Sequence, residues 1–170
     1  MPLAFVTGAT GFLGLNLVER LAAGGWDIVA YHRASSDLKQ LARFPVRRAV
    51  GDLADRAALE AAMPQGAEAV FHCAANTSMW RRRRAEQWHD NVVGTEAVLA
   101  AARARSAKRF VHISTASVYG HGHGTITEDS PPLGVQSAMG YARSKGAAEA
   151  AVKRAAAEGF AAVIVNPGHI

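Results

Sequence analysis

Thr7-Gly8-Ala9-Thr10-Gly11-Phe12-Leu13-Gly14 is the stretch on which the reading of this chain turns. Before it runs Leu3-Ala4-Phe5-Val6, apolar and short enough for a buried strand. After it, Leu15, Leu17, Val18 and Leu21 recur at the spacing of an apolar helical face. Strand, glycine-rich turn and helix in that order make a phosphate-binding entry. Gly8 permits the tight turn, Gly11 lets a pyrophosphate approach the backbone without meeting a Cβ, and Gly14 lets the helix pack closely on the strand. The helix N-terminus then presents unpaired N–H groups and a partial positive charge to the phosphates. The spacing is G-x-x-G-x-x-G, one residue longer in its first gap than the dinucleotide fingerprint, and glycines also mark ordinary turns. The rest of the chain has to decide.

Apolar residues make up 49% and charged residues 19% of the 170, which suits one globular domain spanning residues 1–170. No apolar run approaches the roughly 20 residues a bilayer requires, and the N-terminus shows no charged-then-apolar signal pattern. Cys73 is the only cysteine, so no internal disulfide forms and a reducing cytoplasm is the expected location. A net charge of +5 raises the question of nucleic acid. The excess is concentrated in Arg81-Arg82-Arg83-Arg84 and in Arg103, Arg105, Lys108 and Arg109, which read as a solvated loop and a solvated helix end, with affinity for an anionic ligand and a subunit contact as the alternatives. No nucleic-acid-binding motif accompanies the charge, so no nucleic acid and no membrane is expected as a partner, and no metal site is assigned.

Along the chain, strands alternate with helices. Asp27–His32 reads as a second strand, Leu38 to Phe44 as a short helical stretch and Val46–Val50 as a third strand. Asp55 is placed to cap a helix over Arg56–Met63, and Ala69–Ala75 is a fourth strand. A long helix is predicted from Ala85 to Ser106, with Asn91, Val92, Thr95, Val98, Leu99 and Ala102 along one stripe. Phe110–Ser114 is the fifth strand. Residues 117–137, with Gly120, Gly122, Gly124, Pro131, Pro132 and Gly134, form a long irregular loop of the kind that is usually functional. A helix from Ala138 to Glu158 stops at Gly159, and Phe160–Val165 is the sixth strand. The alternation predicts an α/β fold, a doubly wound parallel sheet in the order 3-2-1-4-5-6 with helices on both faces. In that order the Gly8 turn, Ala74-Ala75, Ser114-Thr115 and Asn166-Pro167 all lie at the carboxyl ends of strands, where a cofactor cleft belongs.

Tyr141-Ala142-Arg143-Ser144-Lys145 puts a phenol and an ammonium at i and i+4 on one helical face. A phenol with a pKa near 10 is a poor base at neutral pH. A neighbouring ammonium and a positively charged nicotinamide ring would favour the phenolate. The pair can then exchange a proton with an alcohol or carbonyl oxygen while hydride moves to or from a cofactor.

With these motifs assembled, the sequence resembles the extended short-chain dehydrogenases/reductases, the NAD(P)-dependent epimerase/dehydratase family, and within it the dihydroflavonol-reductase-like and sugar-epimerase-like members. The matching stretches are T-G-A-T-G-F-L-G at 7–14, G-D-L at 51–53, H-C-A-A at 72–75, N-V-V-G-T at 91–95, S-T-A-S-V-Y-G at 114–120, Y-A-R-S-K at 141–145 and N-P-G-H-I at 166–170. The resemblance implies that Gly8, Thr10, Gly11, Phe12, Leu13 and Gly14 hold the pyrophosphate and that Asp52 and Leu53 lie by the adenine. It places Ala74 and Ala75 along the ribose and phosphates, with Pro167 beside the cofactor. It makes Tyr141 the general acid/base and Lys145 a ribose ligand that tunes Tyr141. The family's serine falls on Thr115, which keeps a hydroxyl, with Ser114 as the fallback. Asn91 reads as a structural helix-to-loop hydrogen bond outside the catalytic set.

No acid stands at the end of the second strand to accept from a ribose 2′-OH, since Tyr31-His32-Arg33-Ala34-Ser35-Ser36 precede Asp37. Arg33, with Ser35 or Ser36, suits a 2′-phosphate instead, so NADP is expected over NAD. The implied activity is an oxidoreductase moving hydride between the cofactor and a hydroxyl/carbonyl substrate. The alternatives are a nucleotide-sugar epimerase or dehydratase retaining NAD, and a non-catalytic dinucleotide sensor. Family members run to about twice this length, so the chain resembles the cofactor half with the C-terminal substrate-binding region absent. A homodimer through helices 85–106 and 138–158 is the expected assembly.

Overall fold

The computed structural model describes residues 1–120 and 124–168. Gly122 of the predicted loop, and His169 and Ile170 of the last motif, lie outside the described residues. Six parallel strands form one sheet in the order β3-β2-β1-β4-β5-β6. They are β1 (Leu3–Thr7), β2 (Asp27–His32), β3 (Arg47–Val50), β4 (Ala69–His72), β5 (Phe110–Ile113) and β6 (Ala162–Val165). The helices are α1 (Phe12–Ala23), α2 (Arg56–Ala62), α3 (Arg84–Trp88), α4 (Gly94–Ala104) and α5 (Gly140–Ala157). Among the described residues no helix is long and apolar enough to cross a membrane.

Strand parity makes two cores. Phe5, Val70 and Phe110, in register across β1, β4 and β5, face α2, α4 and α5 with Leu59, Val98 and Val152. Ala4 and Val6 point the other way, against Val18 and Leu21 of α1 and against Leu41. Cover on the α1 side stops near β4, where Phe71 packs. Beyond it Val163 and Val165 on β6 stay 46% and 42% exposed, beside their partners Val111 and Ile113 on β5.

Several boundaries differ from the sequence reading, each for a local reason. Asp55 caps α2 as expected, its carboxylate accepting from Ala58 N–H at 3.0 Å. The fourth strand ends at His72, not Ala75, because Cys73 N–H and Ala74 N–H turn onto the carbonyl and hydroxyl of Thr7. Residues 73–75 thereby form a wall and leave the ladder. The sixth strand starts at Ala162, because Phe160 N–H closes the end of α5 on Ala155 O, past Gly159 at φ +90°. Only Leu41–Arg43 of the 38–44 stretch is helical, as one 3-10 turn.

The predicted helix over 85–106 is the largest correction. The chain enters it through a 3-10 turn at Arg81–Arg83, runs through α3, widens into a π-helical turn at His89–Val93 and continues as α4 to Ala104. One wide turn in a helix often marks a functional position. Asn91 sits within it. The loop over 117–137 also holds local order, with 3-10 turns at Ala116–Tyr119 and Leu133–Gln136.

Candidate functional site

A cleft of about 430 Å³ opens at the carboxyl ends of the central strands. Gly8, Thr10, Gly11, Arg33, Asp52, Leu53, Ala74 and Ala75 line it, so the structure brings together eight of the sequence-predicted cofactor residues. Phe12, Leu13, Gly14, Pro167, Thr115, Tyr141 and Lys145 are not in that lining. Phe12 is exposed and Gly14 is buried behind the turn.

The glycines have different physical reasons to be there. Gly8 sits at φ +69°, and a Cβ on it would lie 2.6 Å from Ala74 N, so the turn abuts the wall after β4. A Cβ on Gly14 would overlap the Gly8 carbonyl and reach Ala9 Cα at 2.9 Å. That glycine packs the helix on the turn itself, not on the strand as the sequence suggests. Gly11 differs from both. A Cβ there would meet only Gly8 O, at 3.4 Å, an ordinary contact. The polypeptide does not require a glycine at 11, whereas a phosphate in the cleft would. Gly11 also caps α1 without a side-chain hydrogen bond, which leaves first-turn N–H groups for a ligand. This cradle fits a dinucleotide's phosphates.

At the other wall Tyr31, buried at the end of β2, donates to Asp52 O at 3.0 Å and lies over Gly51, where a Cβ would strike its ring. Burial first, then Asp55 and Asp52, push this phenol up to about 12, so it serves as a neutral strut. Asp52 Oδ1 accepts from Ala54 N–H at 2.8 Å, which leaves Oδ2 as the acceptor for a base.

Beneath the turn lies a polar core. Thr95 Oγ1 donates to Asn91 O at 2.6 Å, so it accepts from His72 Nε2–H at 2.9 Å. His72 Nδ1 is then the acceptor for Thr7 Oγ1–H at 2.7 Å. The imidazole is a neutral link between β1, β4 and the π turn, and burial followed by Lys145 lowers its pKa to about 3. Asn91 extends the chain of bonds. Its carbonyl oxygen accepts from Asn76 N–H at 2.7 Å, and its amide donates to Asn76 O at 3.0 Å and Ser144 Oγ at 2.9 Å. Ser144 Oγ in turn donates to Tyr141 O at 3.0 Å. Asn91 thus joins the cleft wall to the helix that carries Tyr141 and Lys145.

Tyr141 is partly buried at the start of α5. It lines a groove of about 200 Å³ with Met79, Trp80 and Met139, and Ser78 borders both this groove and the cleft. The expectation that Lys145 lowers the phenol's pKa is corrected here. Burial raises it, with the nearby Thr115 hydroxyl acting in the opposite direction. Lys145 points inward instead. Its ammonium, on a residue 1% exposed, donates to Ile113 O at 2.7 Å and lies 3.4 Å from His112 Nε2. Burial lowers it to about 8, with Glu149 and Cys73 opposing. Thr115 is held by Asn166, whose amide donates to Thr115 O at 3.2 Å, and by the Ala116 N–H to Pro167 O bond. Pro167 therefore positions the Thr115 segment and does not line the cleft. Ser114 Oγ is buried without a hydrogen-bond partner among the described residues.

The family profile described as the NAD dependent epimerase/dehydratase family matches residues 4–170. The chain belongs to that family. Among relatives of this epimerase/dehydratase chain, a putative dihydroflavonol 4-reductase of Synechocystis sp. is 39% identical over 165 residues, covering 96% of this chain and 48% of its own. A 4-hydroxy-2-methyl-3-oxo-4-farnesyl-3,4-dihydroquinoline-1-oxide ketoreductase of Stigmatella aurantiaca is 38% identical, covering 98% and 49%. The solved Bordetella bronchiseptica enzyme WbmH in complex with NAD+ superposes with a TM-score of 0.84 at 26% identity, covering 98% of this chain and 56% of that one. The chain spans about half the length of the curated relatives it matches.

Sequence reasoning left out Asn76, Arg83, Glu86 and Asp90, which also line the cleft. The spacing of Glu86 and Asp90 with Asn91 on one helix was the available signal. The arginine run concealed it by reading as a solvated loop.

Proposed function

We propose that this chain is the cofactor-binding part of an NADP-dependent oxidoreductase acting on a hydroxyl/carbonyl pair, with Tyr141 as proton donor and acceptor. The observation that carries the reading is the partly buried Tyr141 on a groove that adjoins the glycine-lined cleft through Ser78. When bound, the cofactor supplies or accepts hydride. The chain's own residues do the rest. Gly8, Gly11 and the first turn of α1 receive the phosphates, Asp52 and Leu53 flank the base, and Ala74 and Ala75 shape the wall. Thr115 orients the substrate oxygen and the phenol. Lys145, moved from its inward position, reaches the ribose. Met79, Trp80 and Met139 beside Tyr141 favour an apolar carbonyl compound over a nucleotide-sugar. The outer faces of α4 and α5, where Arg103 pairs with Glu158 and Arg154 with Glu96, are proposed as a homodimer contact.

Tyr141→Phe tests the chemistry. In a chain extended to full family length, turnover falls by about 10²–10⁴-fold, the usual contribution of a positioned acid/base, while NADPH affinity by fluorescence titration stays within about twofold. Turnover unaffected by the change would remove Tyr141 from the mechanism. The preference for NADP has its own test in the 170-residue chain. Arg33→Gln should weaken NADPH by about tenfold and leave NADH unchanged, the loss of one charge-assisted contact. A wild-type preference for NADH would sink the NADP reading outright.

A further inference from the structure

The four arginines at 81–84 do not share one environment. Arg81, Arg82 and Arg83 are all exposed, and Arg84 donates to Ala138 O at 2.6 Å. Arg83 turns to the dinucleotide cleft, whose lining it shares with Arg33, Ser36 and Glu86. Its guanidinium grips Glu86 with both prongs, Nε donating to Oε2 at 2.7 Å and a terminal nitrogen donating to Oε1. Glu86 also feels a second guanidinium. Arg83 and then Arg33, at the end of β2, hold its carboxyl below the usual range. Arg33, Arg83 and Glu86 thus line one cleft although Arg33 belongs to a different element from the other two.

We propose that Arg33 and Arg83 together form the site for the dinucleotide's 2′-phosphate, and that Glu86 holds that place until the phosphate displaces it. The inference rests on the NADP reading above. A phosphate monoester carries close to two negative charges and three acceptor oxygens, so it satisfies two guanidinium forks where a carboxylate satisfies one. The Glu86 side chain is 46% exposed and can swing into water without stranding a buried charge. A ribose 2′-hydroxyl has no charge with which to break the Arg83–Glu86 pair. Glu86 therefore weakens the phosphorylated dinucleotide and is indifferent to the other.

This gives the two partners of one ion pair opposite effects, which a merely structural pair would not show. Arg83→Gln should weaken NADPH by about tenfold, the loss of one charge-assisted contact, and leave NADH within twofold. Glu86→Gln should tighten NADPH by about threefold, again without moving NADH, because it removes a surface-pair competitor. Fluorescence titration of the chain with each dinucleotide reads these changes. Competition by 2′,5′-ADP against 5′-ADP assigns them to the 2′-phosphate, and thermal melting checks that each variant is folded. If wild-type chain prefers NADPH and Arg33→Gln abolishes that preference, but Arg83→Gln does not reduce it, the inference fails alone. It also fails if the Arg83 and Glu86 variants shift NADPH affinity in the same direction. If wild-type chain binds NADPH no tighter than NADH, the NADP reading fails and the inference with it.

Discussion

Acidification from pH 6.5 to 5 should cost this fold about 1 kcal/mol per pH unit for each buried histidine, well before ordinary carboxylates titrate. His72 and His112 are both 0% exposed, and both titrate well below the usual histidine value, His72 at about 3. Burial is the main cause in each, and the Lys145 ammonium adds to it. A histidine lowered in the folded state binds its proton in the unfolded chain first. Its neutral form therefore stabilises the fold fully above pH 6.5, and that stability is lost progressively as pH falls toward 3. For His72 the integrated loss by pH 3 is on the order of 5 kcal/mol, comparable to the whole stability of a small domain. Urea unfolding across pH 6.5 to 5 should show a combined slope of about 2 kcal/mol per unit, from two such groups. His112→Gln should bring that slope down by about half. A slope unchanged in the variant would show that His112 is charged or accessible in the folded chain.

The second large effect separates glycines that the sequence motif treats alike. Gly8→Ala must adopt a left-handed backbone that costs about 1–2 kcal/mol and must also push its Cβ into Ala74. Gly14→Ala drives its Cβ into the Gly8 carbonyl. Both variants should melt many degrees below wild type or fail to fold. Gly11→Ala meets only ordinary contact, so its melting temperature should fall by no more than the few degrees that about 1 kcal/mol of lost N-cap preference implies. Its NADPH affinity should nevertheless drop by about 100-fold, since a methyl group occupies the space the pyrophosphate needs. Wild-type binding by Gly11→Ala would mean that phosphates do not lie over this turn. Wild-type melting by Gly14→Ala would mean that helix and turn have room the structure does not show.

Much of the fold was legible because it rests on local signals. Apolar tetrads and alternating helices gave the strand order, and Asp55 announced its helix through a capping bond that reaches only three residues. What escaped depended on directions that spacing leaves open. Tyr141 and Lys145 are neighbours by sequence. A lysine stem is long enough, however, for its ammonium to seek Ile113 O and His112 in the interior and leave the phenol. The π turn was invisible for a similar reason, since Asn91 lies on the same apolar stripe in a regular helix as in a widened one. Its bonds to Asn76 and Ser144 exist only once β4 and α5 are in place. Arg83 was lost among equals, because four consecutive arginines carry no mark of the one that borders the cleft.

The side chain of Asn91 belongs neither to the wall that borders the cofactor cleft nor to the helix that bears the phenol, yet it is bolted to both. Such an arrangement sets registration tolerance. Errors in the placement of the wall and of Tyr141 are correlated, because both refer to one amide. A reaction that needs a hydride and a proton delivered to adjacent atoms is sensitive to relative displacement and insensitive to common drift. Freedom at Asn91 would leave each half well folded and the two out of register.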